Sequence, residues 1–294
     1  MGTGQDFQDT ALAGTDSKED RGGRESRPGP LSPPQGFDGD RRMEWTDNER
    51  KERDAAPSTG SAVPKRRMQS FVRVAATRWT DDGRSTVIEE SVLVEREFLL
   101  LVNGRPFNRQ ACTPGNAREL AVGFLCSEGY ISNAEEILEL ESDEAAVRAS
   151  VRLAEPLRRR GPMRLPPLHW DPRTVMNLSR AFLERSALFR ETGSVHSALI
   201  ARDTEPLCFA EDLGRFNALD KCLGKALLAG ADLARCALFT SGRLPLGIAL
   251  KTIRAGIPLV VSRSAPTDAA LELASRCRLQ IAGFARGDRM TVYS

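Results

Sequence analysis

Between Glu191 and Leu228 the chain gathers Glu211, Asp212, Arg215, Asn217, Asp220 and Lys221, together with His196, one of its two histidines. Carboxylates, a guanidinium, an ammonium and an imidazole in one neighbourhood are the groups that bind anions and exchange protons. The pair Glu211–Asp212 follows the apolar run Leu207–Ala210. It precedes a segment with Leu219, Leu223, Ala226 and Leu227 at helical spacing. The pair therefore stands where a strand gives way to a helix, the place where open α/β sheets hold ligands. Asn217, Asp220 and Lys221, three and four apart, share one helix face. A helix N-terminus with acidic residues favoured by its dipole is the alternative reading of the same pattern. His196, on the apolar run Val195–Ile200, reads either as a site residue or as a satisfied core histidine.

Further candidates lie at later strand ends. Ser241-Gly242-Arg243 follows the apolar run Ala237–Thr240, and Phe284-Ala285-Arg286-Gly287-Asp288-Arg289 follows Leu279–Gly283. Glycine there lets a backbone approach closely, and the arginines present planar forks suited to phosphate. Thr192-Gly193-Ser194 could offer backbone N–H groups to an anion. None of these is a P-loop or a dinucleotide fingerprint. His196 is followed by Ser197 and Ala198 and there is no P-C-x-x-C, so a zinc deaminase site is not written here. No G-x-S-x-G elbow accompanies the histidines. The six cysteines form no C-x-x-C pair and read as free thiols packed as small apolar groups. Cys112, in QACTPG, is placed on a turn before a helix N-terminus, where a thiolate is stabilised.

The elements that must position these residues follow from the periodicity. The chain has 294 residues, 40% hydrophobic and 28% charged, enough for an ordinary soluble core. Its net charge of +2 predicts no bulk attraction to nucleic acid. No apolar run approaches a membrane span, and the polar start MGTGQDFQDT lacks an apolar signal region, so the expected location is cytoplasmic. Residues 1–67 are rich in Gly, Pro, Ser, Asp and Arg without apolar period, which predicts a disordered tail. Residues 68–155 read as a mixed β module carrying one helix. That helix starts at Pro114 and Asn116 with Glu119 as capping partner and ends at Gly129. Residues 156–172 read as a loop. From Arg173 a helix runs to Phe189, and the rest of 173–294 alternates strands and helices, which implies an α/β domain with a largely parallel sheet.

The phrases LVNGRPF, CTPGNARELAVGFLCSEGYI, TGSVHSAL, EDLGRFNALDK, SGR followed by Lys251, and GFARGDRMTVY occur in this order. Together they resemble the formate dehydrogenase accessory sulfurtransferase (FdhD) family over about Met68–Ser294. The resemblance implies a cytidine-deaminase-like α/β domain and a dimer, either a homodimer or a pairing with a paralogue. It implies a carrier of sulfur from a cysteine desulfurase to the molybdenum bis(molybdopterin guanine dinucleotide) cofactor, on behalf of formate dehydrogenase or another molybdoenzyme. It places Phe284–Arg289 against the guanine dinucleotide, with His196, Glu211, Asp212, Arg215, Ser241 and Arg243 as further cofactor-binding candidates.

The chain also departs from that pattern. Within 156–172 the family carries a Cys-Gly-x-Cys-Gly-like element whose first cysteine holds the persulfide. The same interval here reads PLRRRGPMRLPPLHWDP and has no cysteine. Phe216 replaces a histidine of the family phrase, and Leu244-Pro245-Leu246-Gly247 replaces a more polar run. A thiolate is needed to carry sulfur, so no catalytic residue is assigned and Cys112 is the substitute candidate. The alternative function is a cofactor- or partner-binding relative that has lost sulfur transfer.

Overall fold

Alternating and β-branched segments pair as the sequence predicts, in a computed structural model that describes residues 69–154, 157–286 and 288–293. The tail expected over 1–67 lies outside the described residues, as does Gly287. Strands β1 (Phe71–Trp79) and β2 (Ser85–Leu93) form an antiparallel ribbon around a turn in which Gly83 takes a φ of 79°. Strands β3 (Arg96–Val102) and β4 (Arg105–Cys112) follow as a hairpin. Its two-residue turn, Asn103-Gly104, has positive φ at both positions (50° and 75°), which is what an Asn-Gly hairpin requires.

Helix α1 (Ala117–Ser127) then crosses to the hairpin β5 (Ile137–Asp143) and β6 (Arg148–Leu153). The order β4-β3-β6-β5 makes β3 and β6 parallel neighbours joined through α1. The start of α1 differs from the expected capping pair. Asn116 is left-handed and its side chain makes no cap bond. The free Ala117 N–H is taken instead by the Glu144 carboxylate, at 3.0 Å and 3.2 Å. A long-range acceptor serves the first N–H of the helix, and the left-handed backbone of Asn116 leaves its own side chain out of capping geometry. At the other end Gly129 closes the helix with a φ of 83°.

The helix expected over Arg173–Phe189 is two helices. α2 (Pro172–Glu184) is capped by Asp171, whose carboxylate accepts from Thr174 N at 2.7 Å, with proline in the first turn. The chain breaks at Arg185-Ser186, and α3 (Ala187–Thr192) follows, ending at left-handed Gly193. Ser186 is drawn out of helical geometry by its bonds to Ser197 and Glu211.

The remaining elements are β7 (His196–Arg202), β8 (Glu205–Asp212), α4 (Arg215–Leu228), β9 (Ala237–Thr240), α5 (Leu246–Arg254), β10 (Leu259–Ser262), α6 (Asp268–Cys277), β11 (Gln280–Arg286) and β12 (Arg289–Tyr293). Their sheet has the order β12-β11-β10-β9-β7-β8. The α/β class holds, but the parallel part is confined to β9, β10 and β11. β7 and β8 enter as a hairpin, antiparallel to β9, and β12 returns antiparallel on the far edge. The two-residue connections that close these hairpins permit no parallel crossover.

Alternate residues of the sheet face two cores. Ala198, Ile200, Leu238, Val260 and Ile281 pack with α4, α5, α6 and the four-stranded sheet. Leu199, Phe239, Leu259 and Val261 pack under Val175, Leu178 and Phe182 of α2. The tightest contact joins α1 to α4. A Cβ on Gly123 would stand 1.7 Å from Asp220 O, and one on Gly224 would stand 1.9 Å from Glu119 O. These helices therefore cross backbone on backbone, and only glycine fits at either position.

Candidate functional site

The three parallel strands end side by side, and their exits carry the chemistry. Ser241-Gly242-Arg243 leaves β9, Arg263-Ser264 leaves β10, and Arg286 ends β11. Arg263 N donates to Thr240 O (3.1 Å), Ser262 Oγ to Gly242 O (2.7 Å) and Arg286 Nε to Arg263 O (3.0 Å). The exits are thus stitched into one ledge. Arg243, Arg263 and Arg286 are exposed on it, and among the described residues none makes an ion pair. Three unneutralised guanidiniums at one sheet edge attract anions.

The antiparallel entry of β7 brings its first residue to the same ledge. His196 Nδ1 lies 3.3 Å from Ser241 Oγ, and that hydroxyl accepts from Ser197 N at 2.9 Å. Arg215, at the start of α4, lies over the Phe216 ring at 4.9 Å, and its Nε is buried without a partner. A Cβ on Gly242 would meet Arg215 Cδ at 3.0 Å and His196 Nδ1 at 3.3 Å, so glycine is what lets the imidazole and guanidinium converge. Burial, followed by the nearby Arg215 charge, holds His196 below the ordinary histidine pKa. It is therefore neutral at pH 7, able to accept or donate a hydrogen bond. A cavity of about 120 Å³ opens beside it, walled by Phe182, Phe189 and Val195 and bordered by Ser186, Ser241 and Arg263.

His196, Arg215 and Ser241 are thus brought together, with Arg243 and Arg286 on the neighbouring strand exits. Arg289 sits opposite Arg286 in the β11–β12 register, and Phe284 is exposed in a left-handed conformation with a φ of 51°. Asp288 is exposed on the turn between them. Ala285 faces the core instead, its carbonyl accepting from Ser179 Oγ. Glu211 turns its carboxylate to Ser186 Oγ and Leu188 N, bracing the wall of the cavity. Arg263 was not singled out from the sequence. The signal existed: SRS after PLVV repeats the strand–Ser–Arg pattern of TSGR after ALF.

Asp212, expected among the cofactor-binding residues, is fully buried and committed elsewhere. Its Oδ2 pairs with Lys221 Nζ at 2.7 Å and accepts from Thr113 N and Oγ1, while Oδ1 accepts from Gly214 N and Asn217 Nδ2. Lys221 Nζ also donates to Thr113 O at 2.8 Å, and Asn217 Nδ2 to Ala111 O at 2.6 Å. The polar face of α4 therefore staples the end of β4 to the end of β8. One turn further on, Asp220 pairs with Lys251 at 2.9 Å and accepts from Ser127 Oγ at 2.6 Å, tying α1 to α5. Seven buried polar side chains that satisfy one another in this way form supports, not a reaction centre.

Five of the six thiols are buried. Cys112 is not on a turn: it is the last residue of β4, fully buried, and burial pushes its thiol up to about 12. Burial also pushes Cys126 up to about 12, Cys236 to about 11, and raises Cys222 and Cys208. Cys208 alone of the six is partly exposed. The segment 157–171 is held in place by its arginines. Arg159 pairs with Glu128, and Arg160 with Glu136 and Ser132, while Arg160 N donates to Gly129 O at 2.8 Å. Glu128 is itself bound by Lys251 and Arg254, and these cations hold its carboxyl below the usual range against the opposing effect of burial.

Comparison with known proteins agrees with this architecture. The sequence model of the FdhD/NarQ family matches residues 93–166 and 154–294. A sulfur carrier protein FdhD from Bacillus pumilus is 31% identical over 241 residues, covering 72% of this chain and 92% of that one. The protein of the same name from Staphylococcus haemolyticus is 32% identical, covering 73% and 91%. A crystal structure from Desulfotalea psychrophila, described as that of a formate dehydrogenase accessory protein, superposes with a TM-score of 0.69 at 29% identity. It covers 77% of this chain and 97% of its own. The chain belongs to the FdhD/NarQ family.

Proposed function

We propose that this protein acts in the maturation of a molybdoenzyme of the formate dehydrogenase class by holding the bis-guanine-dinucleotide molybdenum cofactor as its cargo. The observation that carries the reading is the ledge of Arg243, Arg263 and Arg286 beside His196 and the unpartnered Nε of Arg215. Exposed guanidiniums on adjacent strand ends suit the diphosphates of a dinucleotide. In this reading Ser241 orients the His196 ring, and the Asp212–Lys221 and Asp220–Lys251 pairs keep the ledge rigid.

Sulfur transfer is assigned elsewhere. A carrier thiol must reach both donor and cargo as a thiolate. Cys112, Cys126 and Cys222 are buried, with their thiols pushed above the ordinary range, and the strapped arginine segment supplies no thiol. A cysteine-bearing relative or the desulfurase itself would then deliver sulfur to the held cofactor. Relatives named sulfur carrier proteins favour a second reading, transfer through the partly exposed Cys208.

Purification from a cell that makes the cofactor separates these readings. The protein should retain molybdenum and guanine, and an Arg243→Ala/Arg263→Ala variant should lose both. Incubation with a desulfurase and cysteine should leave every thiol unmodified by mass. Purification free of molybdenum and guanine would contradict cargo holding, and a persulfide on Cys208 would establish the second reading.

A further inference from the structure

A second hollow lies at the opposite ends of the same strands, independent of the cargo reading. β9 and β10 start at Ala237 and Leu259, and beside them Ala201, Phe239, Val175 and Leu178 form the floor of a cavity of about 200 Å³. Trp170 forms a wall, half-buried and fixed by donating its indole N–H to Gln280 Oε1, while Gln280 Nε2 donates to Leu168 O at 3.1 Å. The floor and wall are apolar and aromatic. This volume is below the roughly 300–1,000 Å³ of sites for drug-sized ligands.

The rim is charged with both signs. Asp171 is occupied, since its carboxylate caps α2 through Thr174 N at 2.7 Å. Asp203 and Arg235 are exposed, and among the described residues neither makes an ion pair. Asp203 is held in the two-residue turn between β7 and β8 by a left-handed φ of 53°, and Arg235 ends the short turn Leu233–Arg235. An unpaired carboxylate and an unpaired guanidinium around one apolar pit match a zwitterion with an apolar tail.

We propose that this cavity binds a free L-α-amino acid whose side chain is the size of leucine, methionine or phenylalanine. Arg235 takes the carboxylate, Asp203 takes the ammonium, and the side chain lies on the apolar floor beside Trp170. A residue inside a peptide lacks both charges and so loses both rim contacts.

Calorimetric titration of the full chain with L-leucine, L-methionine and L-phenylalanine tests the site, with Trp170 fluorescence as a second readout. At least one should bind saturably. Affinity should fall about 10-fold or more in Arg235→Gln and in Asp203→Asn, the scale of one lost charge-assisted bond. Isocaproate, which lacks the ammonium, and isoamylamine, which lacks the carboxylate, should bind correspondingly weaker than leucine. Both variants should keep the parent's affinity for GDP, which separates this site from the arginine ledge. Absence of binding by all three amino acids to about 10 mM would overturn the proposal. Equal affinity of leucine and either single-charge analogue, or unchanged affinity in both variants, would do the same.

Discussion

His196 is half-buried beside Arg215, and both conditions disfavour its charged form. In the unfolded chain its pKa returns to about 6.5. As pH falls through that value the unfolded state takes up a proton that the folded state refuses. The stability this residue contributes is therefore complete above that pH and is lost towards the lower folded value. Urea midpoints measured between about pH 7 and pH 5 should fall less steeply in His196→Asn than in the parent, and parallel slopes would show that His196 does not titrate differently in the fold. The thiols give a second test at this scale. Iodoacetamide should modify Cys208 first, because it alone is partly exposed, while Cys112, Cys126 and Cys222 react only on unfolding. Early labelling of Cys112 would contradict the packing at the end of β4.

Between elements, the α1–α4 crossing has no room for a side chain. Gly224→Ala places a methyl within bonding range of Glu119 O, so the helices must separate. A loss of about 3 kcal/mol or more by urea denaturation is expected; a loss below about 1 kcal/mol would show the crossing to be loose. Lys221→Ala leaves Asp212 buried without its counter-charge and should cost about 3–5 kcal/mol, partly recovered when Asp212 is also changed to Asn. Such long-range partners were the least legible in the sequence. The α4 face of Asn217, Asp220 and Lys221 could be read from spacing, but its partners Thr113, Ser127 and Lys251 lie far away in the chain. Local signals fared better: Asn103-Gly104 formed its hairpin and Gly129 its helix end. The Asn116–Glu119 cap failed because Asn116 takes a left-handed backbone that turns its side chain out of capping geometry, while Glu144, remote in sequence, binds the first N–H of the helix at Ala117. Strand–helix alternation indicated the α/β class, whereas the antiparallel β7–β8 hairpin depended on a two-residue turn, Asp203-Thr204, that periodicity does not mark.

Over the whole molecule, the fold keeps an arginine-rich edge at the ends of β9, β10 and β11 and fixes the segment in which the family resemblance predicts a sulfur-carrying cysteine. Among the described residues no helix is long and apolar enough to cross a membrane. The Arg159–Glu128 and Arg160–Glu136 pairs make residues 157–171 a strap across the end of α1. An Arg159→Ala/Arg160→Ala variant should expose that segment to proteolysis while leaving nucleotide binding intact. The ledge itself is tested most directly by calorimetric titration of GDP into the full chain. Saturable binding that weakens about 10-fold or more in Arg263→Ala or Arg286→Ala, recovers only partly in the lysine variants, and declines with salt is the expected result. Affinity unchanged in both alanine variants, or absent in the parent, would contradict an anion-holding role for this edge.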